Sequence, residues 1–177
     1  MAKIIDRNIF VTAGHHNQDA GAVQNGVKEA DLTKELRDLI CDQTNFFKDR
    51  DDWNLQRTIG WLNSNKTTHD INVDVHFNSS ANAKATGVEV IVANNASQLS
   101  RQLAKTLTDG ISDILKLPNR GVKTESQTAR GRIGILAVRG VSVLIEVCFI
   151  SNKSDLYAYL KSKNEVALFV KNTLQDF

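Results

Sequence analysis

The chain has 177 residues, 41% of them hydrophobic and 24% charged, with ten glycines and one proline. That composition suits one globular domain over residues 1–177, large enough to bury roughly 70% of the surface its unfolded form exposes. Lysine and arginine number 22 against 20 aspartate and glutamate, a net charge of +2 without long blocks of one sign, so nothing points to nucleic acid or a membrane surface. Two cysteines, Cys41 and Cys148, each inside an apolar stretch, exclude a disulfide framework and a four-cysteine zinc site.

Residues 4–12 read as a strand that delivers the turn-forming stretch AGHHNQDAGAVQNG, which places His15 at a strand's carboxyl end. Over 29–47, Leu32, Leu36, Leu39, Ile40 and Phe47 recur at helical spacing. Asp52 is positioned to cap a second helix carrying Trp53, Leu55, Ile59, Trp61 and Leu62. INVDVHF, 71–77, alternates: Ile71, Val73, Val75 and Phe77 face one way, and Asn72, Asp74, His76 and then Asn78 the other. A strand is expected over 87–93, a helix over 98–115 ending before Pro118, and a polar loop over 123–132. IGILAV and VSVLIEVCFI read as two further β-branched runs, the second apolar enough to be covered on both faces. A helix over 164–177 closes the chain. Helices alternating with buried strands indicate an α/β fold, a mixed and mostly parallel central sheet with helices on both faces. Ligands in such sheets bind at the carboxyl ends of strands.

The opening MAKIIDRNIFVTAGHH breaks its hydrophobics at Asp6, Arg7 and Asn8, whereas an export signal needs an uninterrupted apolar run of about seven or more. Synthesis in the cytoplasm without such a signal is expected. No window approaches the roughly 18 apolar residues of a membrane span.

Glu146, alone in VSVLIEVCFI, would cost several kcal/mol if buried and unpaired, so something must compensate it. An arginine such as Arg139 or Arg120 is one answer; a metal or a catalytic water is the other. His15, His16, Glu29 and His76 offer imidazoles and a carboxylate that make an open zinc site when two histidines and one acid meet. Their spacing is long-range, and composition alone does not select among such triples. Cys148, two residues past Glu146, is expected on the same strand face.

Four blocks then carry a resemblance, in order: FVTAGHHNQDAGA, VKEADLTKEL, VDVHFNSS, and NRGVK with VSVLIEVCFISN. Together they resemble the zinc-dependent N-acetylmuramoyl-L-alanine amidases of the amidase-3 family, which cut peptidoglycan between the lactyl group of muramic acid and the first stem-peptide residue. The resemblance runs from Ile4 to about Leu160 and implies one zinc held by His15, Glu29 and His76, with Glu146 as the catalytic carboxylate. The chain departs from the family pattern at His16, where a small residue is usual and which becomes a competitor for the metal. It departs also at Asp74, where a serine-like residue is usual, and at FFKDRDDW, which replaces a strand leading to a Thr-Arg pair.

Asp74, two residues from His76 on one face, is expected either to orient that imidazole or to bond a backbone amide. Asn78, Arg120 and Arg139 either line a groove for a glycan or an acidic stem peptide, or are exposed and ion-paired. His69 is expected on the surface. The leading reading is a phage-endolysin-like lysin acting on peptidoglycan in the periplasm or cell wall after release, a monomer without nucleic-acid or membrane partners. A zinc carboxypeptidase-like peptidase, with Arg120 or Arg139 holding a C-terminal carboxylate, and a non-catalytic wall-binding domain are the alternatives.

Overall fold

A computed structural model describes residues 7–177. Among them, strands and α-helices follow in the order β1 (Ile9–Ala13), β2 (Val23–Gln24), β3 (Val27–Lys28), α1 (Glu29–Cys41), β4 (Phe47–Lys48), α2 (Leu55–Asn65), β5 (Ile71–Asn78), β6 (Val88–Val92), α3 (Gln98–Leu115), β7 (Asn119–Thr124), β8 (Val141–Phe149) and α4 (Lys153–Asp176). Six strands make one sheet in the order β4-β1-β5-β8-β6-β7. The first four are parallel; β6 lies antiparallel against β8, and β7 runs parallel to β6. This is the mixed, mostly parallel α/β sheet expected from the sequence.

The alternation in β5 decides which face is which. Val73, Val75 and Phe77 join Leu36, Leu107, Ile111 and Val170 in the core beneath α1, α3 and α4. The opposite face is covered by α2 and a 3-10 turn at Gly134–Ala137, where Phe10, Leu62, Ile135 and Leu144 form a second, smaller core. Each of these buried apolar side chains contributes about 1.5–3 kcal/mol. On that second face the polar set Asn72, Asp74 and His76 also lies buried, next to β8 and its Glu146. A fold that buries so many polar groups on one sheet face has concentrated them for a purpose other than stability.

Several boundaries depart from the sequence reading. Residues 4–6 of the expected first strand lie outside the described residues. The first helix stops at Cys41 because Gln43 takes a left-handed φ of 54°, and Phe47 belongs instead to β4, paired with Phe10. Asn54, not Asp52, caps α2, its side chain accepting from the Arg57 amide. Part of the expected 123–132 loop is the end of β7, an edge strand too exposed to show alternation. IGILAV is no strand: its short apolar run winds into the 3-10 turn, and periodicity cannot separate the two in so short a segment. The last helix starts at Lys153, capped by Asn152, eleven residues before the expected 164. Its first turns bury Leu156 and Tyr159 in the core but expose Tyr157 and Leu160 beside them, so the apolar residues there do not mark one face. No helix among the described residues is long and apolar enough to cross a membrane.

Cys148 also departs from expectation. The β5–β8 register pairs His76 with Glu146 but Asn78 with Phe149, so one extra residue is accommodated in β8. That bulge turns Cys148 into the large core and leaves Phe149 on the face that Glu146 shares.

Candidate active site

The site gathers at the carboxyl ends of β1 and β5 and at the start of α1. Leaving β1, the chain passes Gly14, whose amide donates to the Val75 carbonyl at 2.8 Å, and reaches His15 in a left-handed conformation, φ 67°. A non-glycine residue there is uncommon and strained, and the strain turns the imidazole toward α1. Two glycines keep the space clear. A Cβ on Gly14 would stand 2.3 Å from the His76 ring, and one on Gly21 would stand 2.6 Å from the His15 ring and 2.8 Å from Glu29 Oε2.

Glu29 occupies the first position of α1, where the orphan amides and the helix dipole favour a carboxylate. It is 2% exposed and holds the centre of the cluster. Oε1 accepts from the Phe77 amide and lies 3.1 Å from His76 Nδ1; Oε2 accepts from the Ala22 amide and lies 3.0 Å from His15 Nε2. The outer imidazole nitrogens face carboxylates as well: His15 Nδ1 is 2.9 Å from Asp19 Oδ2, and His76 Nε2 is 3.1 Å from Asp74 Oδ2. Asp74 is fixed in turn by the Thr12 hydroxyl at 2.6 Å.

Ligand-type atoms of His15, Glu29 and His76 lie within 4.8 Å of one another. Although close to Glu29, His15 Nε2 makes no aligned hydrogen bond and is a buried, unpartnered nitrogen. A carboxylate and two imidazole nitrogens converging on one point, each imidazole backed by an acid on its far side, fit a divalent metal of the zinc type. Charge follows the same pattern. Burial alone would lower the His76 pKa, but Asp74 and Glu29 raise it to about 10. Burial opposes ionisation of Glu29 too, and the two histidines hold it below the usual carboxylate range.

His76 lies directly beside Glu146 in the β5–β8 ladder, and Glu89 lies beside Glu146 on the other side. Adjacent strands stand about 4.8 Å apart, so three ionisable residues share one row. Their partners differ. Glu89 accepts from Asn78 at 2.9 Å and from Arg120 at 2.8 Å. Glu146, 6% exposed, has an Oε2 with no partner. Burial pushes its pKa up to about 7, partly opposed by the charge of His76. The arginine partner considered for Glu146 is therefore absent among the described residues: Arg120 serves Glu89, and Arg139 donates to the Asn63 carbonyl away from the site.

The structure thus brings together His15, Glu29, His76, Asp74 and Glu146, with Asn78 and Arg120 one step outward. Arg139 does not join them, and His16 turns aside, its Nδ1 accepting from the Gln18 amide at 3.3 Å. Sequence reasoning missed Asp19 and Arg130, polar residues in loops where polarity carries no signal, and Glu89, a charge inside the buried apolar strand VEVIV that offered the same signal as Glu146. His15, Asp19 and Arg130 stand where two lobes of an open cleft meet. One lobe, about 580 Å³, is walled by Trp53, Leu55, Ile133 and Leu144. The other, about 950 Å³, holds Glu146, Asn78, Arg120 and Lys123.

The family model described as N-acetylmuramoyl-L-alanine amidase matches residues 9–175. The Bacillus subtilis protein YqiI is 28% identical over 158 residues, covering 84% of this chain and 73% of its own length. The endolysin of Bacillus phage SPP1 is 26% identical over 169 residues, 90% of this chain, which spans 61% of that endolysin. Among solved structures, the N-acetylmuramoyl-L-alanine amidase from Clostridium difficile 630 superposes with a TM-score of 0.83 at 20% identity, over 96% of this chain and 95% of that one.

Proposed function

Because the chain belongs to the N-acetylmuramoyl-L-alanine amidase family, amidase-3, we propose that it hydrolyses the amide joining the lactyl group of N-acetylmuramic acid to the first residue of the stem peptide. In this reading His15, Glu29 and His76 hold one zinc ion, and Glu146 moves the proton. The observation that carries it is a buried carboxylate without a partner, one strand away from a cluster of two imidazoles and an acid.

A zinc ion in that cluster supplies Lewis acidity, lowering the pKa of a water toward about 7 and polarising the amide carbonyl. The remaining chemistry is the chain's own. Asp19 and Asp74 hold the two imidazoles in the tautomer that directs His15 Nε2 and His76 Nδ1 toward Glu29. Glu146 accepts a proton from the attacking water and delivers it to the nitrogen as the C–N bond breaks, leaving a lactyl carboxylate and a free amine. Burial raises the Glu146 pKa to about 7 in the metal-free chain, and a cation held by the neighbouring cluster would draw it back down.

Of the two arginines considered for holding the terminal carboxylate of a carboxypeptidase substrate, Arg120 is committed to Glu89 and Arg139 lies elsewhere, and the family match favours the amidase. A wall-binding module would not need an unpaired buried Glu146. The SPP1 relative, named an endolysin, supports a phage-type lysin acting on the cell wall. Purified peptidoglycan incubated with the zinc-loaded protein should release free stem peptides, seen by mass spectrometry, with new amino groups and no new reducing ends. A chelator should abolish release, and zinc should restore it. Release of single amino acids, or of nothing, would overturn the reading.

A further inference from the structure

The two lobes of the cleft differ in chemistry, and the position of Glu146 says which end of the substrate each receives. Resting on the amidase reading, we propose that the lobe containing Glu146 takes the stem peptide, that the Trp53–Leu55 lobe takes the lactyl-sugar side, and that Arg130 pairs with a carboxylate of the peptide and sets a preference for acidic stems.

The direction follows from the proton. In amide hydrolysis the nitrogen that leaves must be protonated by a group within hydrogen-bond reach. Glu146 lines only the larger lobe. The leaving nitrogen, and the peptide attached to it, therefore lie on that side, and the acyl carbon with its lactyl and sugar groups lies on the other. The walls agree. The acyl lobe is largely apolar, with Trp53, Leu55, Ile133 and Leu144, suited to the methyl of a lactyl group and the apolar face of a sugar ring. Across the peptide lobe stand Arg120, Lys123 and Arg130. Arg120 is neutralised by Glu89. Among the described residues, neither Lys123 nor Arg130 makes a salt bridge, although Asp19, Glu89 and Glu146 line the same lobe.

Of the two, Arg130 is better placed to select. It lines both lobes beside His15 and Asp19, and its charge reaches Glu146. The segment that presents it is anchored at its base. Glu125 accepts from the Ile133 amide at 2.7 Å and the Asn94 amide at 3.3 Å, and Thr124 and Gln127 form a reciprocal cap. A guanidinium held on such a support binds a carboxylate through two parallel N–H donors, a geometry lysine does not reproduce.

The test compares two soluble muropeptides, identical except that the stem-peptide carboxylates are free in one and amidated in the other. The unmodified enzyme should show a lower KM for the free-acid substrate, with the advantage shrinking as salt is raised. Arg130→Ala should raise KM for that substrate about tenfold, leave kcat within a few-fold, and leave the amidated substrate unaffected. Arg130→Lys should recover part of the loss. Direct titration should show the same order, with the free stem peptide binding more weakly to Arg130→Ala than to the unmodified protein. Arg130 is exposed, and a melting curve verifies that the variant folds. If Arg130→Ala treats both substrates as the unmodified enzyme does, or loses equally on both, the assignment of the peptide lobe is wrong while the amidase reading stands. If the unmodified enzyme cleaves neither, the amidase reading fails, and this proposal with it.

Discussion

Glu146→Gln should leave a protein that is more stable at pH 8 and nearly inactive. Burial raises the carboxyl pKa from the ordinary 4.5 to about 7, against the opposing charge of His76. The folded form thus holds its proton more tightly than the unfolded chain does. The resulting stability is fully present below about pH 4.5 and is lost as pH rises through about 7. At about 1.4 kcal/mol for each tenfold in proton affinity, the loss at pH 8 is on the order of 3 kcal/mol, and about 1 kcal/mol at pH 5. Glutamine is nearly isosteric and never ionises, so it escapes the loss. Urea unfolding of chelator-treated protein at both pH values should show the variant ahead by about those amounts. The zinc-loaded variant should keep its metal, because the ligands are untouched, while peptidoglycan turnover falls about 100-fold or more. Retained turnover in well-folded Glu146→Gln would refute the mechanism. A variant less stable than the parent at pH 8 would refute the electrostatics, since it would mean that Glu146 has a partner that the fold loses with it.

His15→Ala and His76→Ala should each lower zinc, measured by elemental analysis, from about one per chain to a small fraction, while His16→Ala keeps it; equal loss in His16→Ala would reassign the first ligand. Cys41→Ala with Cys148→Ala should leave turnover within a few-fold of the parent, and a folded double variant slowed by orders of magnitude would show that a thiol takes part. Lys66 is buried against the Val141 carbonyl, and burial lowers its pKa from 10.5 to about 7 despite Asp70. The unfolded chain binds the extra proton between those values, so stability should rise with pH across that window. Lys66→Met should flatten the rise in urea titrations between pH 7 and 10, and an unchanged slope would place the charge elsewhere.

What could be read in advance follows the reach of each signal. The alternation of β5, the stripes of α1 and α3 and the apolar run of β8 are local patterns imposed by burial, and they appear at their expected places. Glu146 was visible for the same reason, as a charge where the pattern allows none. β7 stands partly in solvent, so no pattern is imposed on it, and in the first turns of α4 the buried Leu156 and Tyr159 are mixed with exposed Tyr157 and Leu160, which blurs their stripe. The cluster itself joins residues 14, 47 and 61 positions apart, and only the resemblance pointed to that triple. Asp19, Glu89 and Arg130 owe their places to the turn of one loop, the reversed direction of β6 and the end of another loop. The loop positions of Asp19 and Arg130 leave no trace in residue type, whereas Glu89 leaves one, a charge within the apolar run VEVIV.

The bulge in β8 bears on how the centre stays chemically clean. Thiolate sulfur is a strong zinc ligand, better matched to that metal than a carboxylate oxygen. In an unbroken strand Cys148 would project on the side of Glu146 and His76, within range of becoming an extra, softer donor or an oxidisable neighbour. The extra residue hands that direction to Phe149, whose ring lies beneath the Arg120 guanidinium with 5.0 Å between the two. Sulfur is thus kept off the face of the His15, Glu29 and His76 cluster by a count of residues and not by their identity. Straightening the strand with its residues kept would bring Cys148 round to the side of Glu146, whereas removing Val147 would take out the bulge and leave Cys148 facing the core and Phe149 facing the site.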